Sequence, residues 1–343
     1  MGKDYRGRNH KIQNDHTRKY REKTTATPYD DVFRSLVEKC RKATILLINE
    51  MFRESGYLEE EYSGDEEVTL LANESYGRLE TTDAEKRITD SRIRIFGKNG
   101  PRDFHLECQS TADQEILIRI FEYDMRMARD GGRMTGNSRL IVEMPCSAVL
   151  YLRSTRDTPL EMQVEIRTPR GNITYTVPVL RIHDYGVKAI VRRQLYFLIP
   201  FYSFTVSSRF QELNEDSEAL ENHLEELDQL LDFLLEAVEQ GKLSSYEGRE
   251  ISDALQYIEC FLVPEQYNNL KKEVTRYMGG KVIEFSADRI LKQGVKQGQL
   301  EAARSLFTEG VPYEIIRKCI DAVITDEELH DLEKEATQVP LQG

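Results

Sequence analysis

The chain has 343 residues, enough for about two domains, and it is 39% hydrophobic and 31% charged. This composition is typical of a globular protein and excludes a fibrous or fully disordered one. The formal net charge of −13 argues against a protein that coats nucleic acid through a broad basic surface.

The cysteines and the apolar runs favour a cytoplasmic protein. The five cysteines are scattered without a C-x-x-C pair, which favours neither a zinc site nor a disulfide framework. The N-terminus is polar and basic and has no apolar segment of a secretory signal. No apolar run approaches the ~20 residues that span a bilayer, so we expect no membrane contact.

Charge is unevenly distributed along the chain. Residues 1 to 23 carry eight basic and three acidic residues, a net charge of +5, and predict a disordered arm over 1–24. Such an arm can hold nucleic acid loosely or only increase solubility. Residues 210 to 241 carry eleven acidic residues and no Lys or Arg.

Helix and strand signals alternate in the first two thirds of the chain. Thr27-Pro28-Tyr29-Asp30 predicts a helix start, and apolar spacing carries this helix to about residue 53. A second helix is predicted at about 113–130, before Gly131-Gly132. Pro169-Arg170-Gly171-Asn172 predicts a hairpin turn. Strands are predicted at 68–71, 75–79, 87–96, 103–109, 139–144, 147–153, 161–168 and 173–180.

This order predicts an α/β domain over residues 25–205 and a helical region over 206–335. In the helical region Leu213, Leu220, Leu227 and Leu234 repeat every seven residues, within an acidic heptad segment. The segment can pair with a second helix at about 248–263 of the same chain, which we favour, or form a homodimer through residues 213–238.

One strand combines apolar and polar faces. In Phe104-His105-Leu106-Glu107-Cys108-Gln109 alternate side chains point to opposite faces, so His105, Glu107 and Gln109 share one face. Asp90 starts the preceding strand and lies beside Glu107 if the two strands pair. Two carboxylates on neighbouring strands are ligands that Mg²⁺ prefers. His105 is assigned no role, because a lone histidine is more often structural.

Thr89-Asp90 followed by Leu106-Glu107-Cys108-Gln109-Ser110 resembles the D…E-x-Q variant of the PD-(D/E)XK nucleases, in particular the recombination-promoting nuclease or PD-(D/E)XK transposase family. Asp31-Val32-Phe33 resembles that family's first-helix motif, and Arg119 with Tyr123 resembles its Arg…Tyr helix signature. The resemblance covers most of residues 27–205 and, more loosely, 301–331. It implies a restriction-endonuclease-like α/β core with a C-terminal all-helical appendage.

The resemblance also implies site residues. Asp90 and Glu107 are the expected metal ligands, with Mg²⁺ or Mn²⁺ as the cofactor, and Gln109 stands where the wider superfamily has lysine. Asp31 is the candidate third acid, with Glu50 behind it. Three residues spaced along one helix face are candidates to contact the DNA backbone or to support Glu107: Arg119, Tyr123 and Arg126.

The function that we expect is therefore a Mg²⁺-dependent endodeoxyribonuclease related to those of mobile elements, with DNA as its partner. The alternative is a catalytically decayed module that binds DNA or another protein. Nucleotide-dependent and nicotinamide-dependent enzymes are disfavoured, because the chain has neither a P-loop nor a G-x-G-x-x-G after a strand.

Overall fold

A computed structural model of the chain describes residues 28–58, 61–71, 91–110, 115–280, 298–320 and 324–337. Contacts divide the protein into two units, Met1–Ile283 and Glu284–Gly343. The first unit is mixed α/β with a mixed central sheet. The basic arm expected at 1–24 and the strand expected at 75–79 lie outside the described residues.

The described elements of the first unit begin with helix, strands, helix and strands, which is the predicted general order. The strands are β1 (Glu67–Leu70), β2 (Ser91–Gly97), β3 (Gly100–Gln109), β4 (Arg133–Thr135), β5 (Arg139–Ile141), β6 (Cys146–Tyr151), β7 (Glu161–Thr168) and β8 (Gly171–Arg181). The α-helices are α1 (Pro28–Lys39), α2 (Arg41–Phe52), α3 (Ile116–Asp130), α4 (Val187–Arg193), α5 (Phe210–Glu215), α6 (Ser217–Glu239), α7 (Ser245–Leu262) and α8 (Asn268–Gly280). The 3₁₀ segments are Ile182–Asp184 and Tyr196–Arg209.

Six strands form the central sheet in the order β1-β2-β3-β6-β8-β7. The pairs β1–β2, β2–β3 and β7–β8 are antiparallel, whereas β3–β6 and β6–β8 are parallel. A parallel pair needs a long crossover connection, and α3 lies within the crossover between β3 and β6. The β7–β8 hairpin closes with Thr168 opposite Gly171, at the predicted turn.

The single helix predicted from residue 28 to about residue 53 is wrong, because the chain breaks at Cys40 into α1 and α2. Cys40 has φ −111° and ψ 67°, outside the helical region. The first backbone N–H groups of a new helix have no partner within that helix. Glu247 of α7 accepts a hydrogen bond from the backbone N–H of Lys42 at 3.0 Å, and Lys39 donates to Glu250 at 2.7 Å.

Each face of the central sheet packs against helical residues. On one face α3 packs against β6 and β8 through an apolar cluster that includes Ile120, Val149 and Val177. On the other face Phe52 of α2 packs edge-on against Phe104 of β3, with 5.5 Å between the ring centroids. Both faces of β3 are therefore buried, including the polar face that the sequence predicts.

The helical part of the first unit buries most of the heptad leucines within the chain. Leu213, Leu220, Leu227 and Leu234 are buried, and Leu224 is half-buried. Helix α7 follows α6 and starts with a capping box between Ser244 and Glu247. Packing within one chain therefore accounts for the heptad pattern.

The second unit is helical where it is described. Residues 298–308 are helical, and α9 (Tyr313–Cys319) and α10 (Asp326–Thr337) follow. Its core comprises Ala303, Phe307, Ile316, Ile324 and Leu329. In the portions of the two units that the structure describes, no helix is both long and apolar enough to cross a membrane.

Candidate active site

The polar face of β3 lies beneath α3. His105 is fully buried, Glu107 is 4% exposed and Gln109 is half-buried. The alternation of side chains along the strand places these three residues on one face, as the sequence predicts. Burial of a histidine and a carboxylate requires compensating hydrogen bonds or charges, because each loses its hydration.

His105 bridges two acidic side chains. Its Nδ1 lies 2.8 Å from Oδ1 of Asp124 on α3, and its Nε2 lies 3.2 Å from Oε1 of Glu107. Asp124 is also fully buried, and it accepts hydrogen bonds from the Ser147 hydroxyl at 2.6 Å and from the Tyr175 hydroxyl at 3.3 Å. These hydrogen bonds connect β3, α3, β6 and β8 beneath the apolar part of α3.

The two acidic side chains set the ionisation of His105. Burial alone lowers the pKa of His105, but hydrogen bonds and charge interactions with Asp124 and Glu107 outweigh it and raise the pKa to about 9. His105 is therefore an imidazolium at neutral pH, and both ring nitrogens donate. The protonated ring donates to Oε1 of Glu107 and fixes the orientation of that oxygen.

The second oxygen of Glu107 faces Gln109 and Arg119. The Nε2 atom of Gln109 lies 3.3 Å from Oε2 of Glu107, and NH2 of Arg119 lies 3.7 Å from the same oxygen. Tyr123, one turn beyond Arg119, packs edge-on against the His105 ring, and the Arg126 guanidinium lies 5.7 Å from the Tyr123 ring centroid. The structure thus brings five of the predicted residues close together: Glu107, Gln109, Arg119, Tyr123 and Arg126.

Asp90, the other predicted metal ligand, lies outside the described residues. The structure does show that β2 and β3 pair as a hairpin, which is the condition on which the predicted approach of Asp90 to Glu107 depends. In this pairing Ser91 lies opposite Leu106 and Arg92 lies opposite His105.

Asp31 and Glu50 have partners elsewhere in the first unit. Asp31 lies in the first turn of α1 and accepts a hydrogen bond from Arg34 at 2.8 Å. Burial raises the pKa of Asp31, while the neighbouring Arg34 opposes this rise. Glu50 on α2 is buried and accepts hydrogen bonds from Arg193 and, at 2.8 Å, from the Tyr185 hydroxyl. None of the contacts described for either acid joins it to Glu107.

Two oxygen ligands of the kind that divalent cations bind lie near Oε2 of Glu107. A carboxylate oxygen and the amide oxygen of Gln109 are hard ligands of the kind that Mg²⁺ and Mn²⁺ prefer. The contacts of Oε2 with N–H groups are long, whereas His105 holds Oε1. The amide oxygen and nitrogen of Gln109 can exchange places by rotation of the amide group.

The described parts of the chain contain no group of three or more His, Cys, Asp or Glu side chains arranged to hold a metal ion. A site built from Asp90 and Glu107 includes a residue that lies outside those parts.

Sequence reasoning missed Asp124 and Ser147. A signal for Asp124 exists, because it interrupts the apolar stripe of Ile116, Ile120 and Met127 on the buried face of α3. An acidic residue on such a stripe requires a buried partner. Ser147 has no comparable signal, since its role depends on β6 pairing beside β3, where it lies opposite His105.

Comparisons with known proteins add no relative. The chain matches no family model, no curated protein and no solved structure.

Proposed function

We propose that the protein is a metal-dependent endodeoxyribonuclease that hydrolyses phosphodiester bonds, related to the recombination-promoting nucleases of mobile elements. The observation that carries the proposal is the contact of Glu107 with Gln109 and Arg119 at the end of β3. These are three of the positions that the sequence resemblance assigns to the active site. The mixed α/β fold, with α3 crossing from β3 to β6, is compatible with a restriction-endonuclease-like core.

The second metal ligand in this proposal is Asp90. Ser91, the first described residue of β2, pairs with Leu106, which directly precedes Glu107 in β3. Asp90 directly precedes Ser91 in the sequence, and the sequence resemblance implies that both acids bind the metal. The proposal therefore assigns Asp90 and Glu107 as the two carboxylates that hold Mg²⁺ or Mn²⁺.

A bound Mg²⁺ supplies an acidified water and stabilises negative charge on the phosphate. His105 donates to Oε1 of Glu107 and thereby leaves Oε2 directed at Gln109 and Arg119. The Gln109 amide can orient a water or a phosphate oxygen, although it supplies no charge. Arg119 supplies a positive charge beside the carboxylate, and Arg126 supplies another two turns further along α3, where the DNA backbone can be held.

A catalytically decayed module that binds DNA or another protein is the second candidate. The observation that favours it is that Glu107 is nearly fully buried and that both of its oxygens face N–H groups. In this second candidate, Glu107 acts solely as the counterion of His105 and holds no metal. A folded protein with this role would bind its partner without cleaving DNA.

Nicking of supercoiled plasmid by the full chain, with Mg²⁺, Mn²⁺ or EDTA, distinguishes the two. The test variants are Asp90→Ala and Glu107→Gln, and the glutamine retains the shape of the buried side chain. The matched control is Glu122→Ala, which removes an exposed acid from α3. Metal-dependent nicking that both test variants lose and the control keeps supports the nuclease. If folded wild-type protein nicks the plasmid neither with Mg²⁺ nor with Mn²⁺, the decayed module is supported instead.

A further inference from the structure

A small ribbon protrudes after α3 and is not part of the central sheet. Strands β4 and β5 pair only with each other, with Met134 opposite Leu140, and a turn containing Gly136 at φ 64° connects them. All residues from 133 to 140 are exposed, and Ile141 is half-buried. A two-stranded ribbon with so little buried surface contributes little to the core, so both its faces are accessible.

The two faces of the ribbon differ in chemistry. Arg133 pairs with Ile141 and Thr135 pairs with Arg139, so both arginines, the threonine and the half-buried Ile141 lie on one face. Met134 and Leu140 lie on the other. Met134 and Leu140 are 60% and 58% exposed, so this second face is accessible as well.

The ribbon and the last turns of α3 are basic in an acidic protein. Residues 126–142 contain four arginines and one acid, a net charge of +3, whereas the chain carries −13. Arg133 and Glu143 are 3.6 Å apart with side chains 70% and 80% exposed. Exposed ion pairs of this kind contribute little stability, so a phosphate can replace the carboxylate at small cost.

We propose that the β4–β5 ribbon docks in the groove of duplex DNA and that Arg133, Thr135 and Arg139 contact the DNA. The inference rests on the proposed function in taking DNA as the substrate. A major groove about 12 Å wide admits a two-stranded ribbon. Arginine donates to phosphates and to guanine edges, and threonine donates to phosphates or to either strand's bases. The positive charge of the exposed ribbon matches the dense negative charge of the phosphate backbone.

Helix α3 sets the distance between the ribbon and the candidate active site. Arg119 contacts Glu107 near the start of α3, and Arg133 follows its end. At a rise of about 1.5 Å per residue the two arginines are roughly 20 Å apart. At about 3.4 Å per base pair this distance corresponds to roughly six base pairs. The ribbon should therefore protect DNA within about six base pairs of the cleaved phosphate.

The test is equilibrium binding of the full chain to a labelled duplex of about 30 base pairs in EDTA, between about 50 and 200 mM NaCl. Arg133→Ala/Arg139→Ala should weaken binding by about tenfold or more. If both arginines contact phosphates, the slope of log K against log salt should also fall by about 1.8. Arg167→Ala/Arg170→Ala is the matched control, because it removes two exposed arginines from the β7–β8 hairpin.

The other outcomes separate this inference from the proposed nuclease. Unchanged binding by Arg133→Ala/Arg139→Ala overturns the ribbon's role, while plasmid nicking by the same variant preserves the nuclease. Equal losses in both double variants, or an equal loss on single-stranded DNA of the same length, also overturn it. Ribbon-dependent binding without metal-dependent nicking supports the ribbon and overturns the nuclease. Self-association that only the ribbon variant loses assigns this surface to a second copy.

Discussion

His105 donates from Nδ1 to Oδ1 of Asp124 across 2.8 Å, and both side chains are fully buried between α3 and the sheet. The same imidazole reaches Glu107 through its other nitrogen. One buried cation thus connects an acid of α3 to the acid that the proposed function assigns to the metal. The position of α3 over β3 depends on this connection as well as on apolar packing.

Removal of Asp124 should destabilise the fold strongly. Asp124→Ala leaves His105 with one acidic partner and leaves the hydroxyls of Ser147 and Tyr175 without their acceptor. Loss of one member of a buried ion pair costs about 3 to 5 kcal/mol. Urea unfolding measures the loss, with Asp130→Ala, an exposed acid of the same helix, as the control. Similar unfolding free energies for the two variants would contradict the buried ion pair.

The stability of the protein should fall above neutral pH. The pKa of His105 is about 9 in the folded chain and near its ordinary value of 6.5 in the unfolded chain. The folded state therefore binds the proton more tightly, so its stabilisation is complete below pH 6.5 and declines as pH rises towards 9. The free energy of unfolding, measured in EDTA across this range, should decline less in His105→Gln. Parallel profiles for the two proteins would exclude His105 as the source.

Glu259→Gln should stabilise the protein at pH 8. Burial raises the pKa of Glu259 to about 7, and Oε2 of this side chain has no hydrogen-bond partner, while Ser203 donates to Oε1. Stability from the neutral acid is therefore present below pH 4.5 and is lost as pH rises through 7. Glutamine does not ionise, so Glu259→Gln should raise the free energy of unfolding at pH 8 by about 1 to 3 kcal/mol.

Thermal unfolding of Glu259→Gln at pH 5 and pH 8 checks the prediction. The stabilisation should be large at pH 8 and small at pH 5. Glu239→Gln, which changes an exposed acid at the end of α6, is the control and should show neither effect. A pH-independent change in Glu259→Gln would point to packing instead of ionisation.

Alanine in place of a buried heptad leucine should destabilise the folded chain without affecting its association with a second copy. Leu227 and Leu234 are fully buried, so alanine at either position should cost about 2 to 5 kcal/mol. Leu224→Ala, at a half-buried heptad position, should cost less. The midpoint of unfolding should not depend on protein concentration. A homodimer through residues 213–238 would instead show a midpoint that rises with concentration and a doubled mass in solution.

Local patterns predicted much of the sheet. The alternation along β3 placed His105, Glu107 and Gln109 on one face, and the turn signal at 169–172 placed the β7–β8 hairpin. These predictions succeed because each depends on residues that are near in sequence. The strand predicted at 139–144 is shorter in the structure, and its partner β4 was missed, because three exposed residues carry no hydrophobic pattern.

Contacts between distant segments could not be predicted in the same way. The charge of His105 depends on Asp124, nineteen residues later, and on the crossing of α3 over β3. The helical spacing of apolar residues continues across Cys40, so the sequence gives no sign of the break there. Glu247, which accepts a hydrogen bond at the start of α2, lies far along the chain. Such pairs require the fold itself, since periodicity reports only which face of an element is apolar.

The cap that Glu247 gives to α2 has a consequence for how the protein is made. The hydrogen bond joins Glu247 to Lys42 across 205 residues of sequence. At a synthesis rate of about 5 to 20 residues per second, Glu247 follows Lys42 out of the ribosome after roughly 10 to 40 seconds. During that interval the first two helices have been synthesised but lack the side chain that stabilises the junction between them. A chaperone that binds nascent chains can act on this junction during that interval.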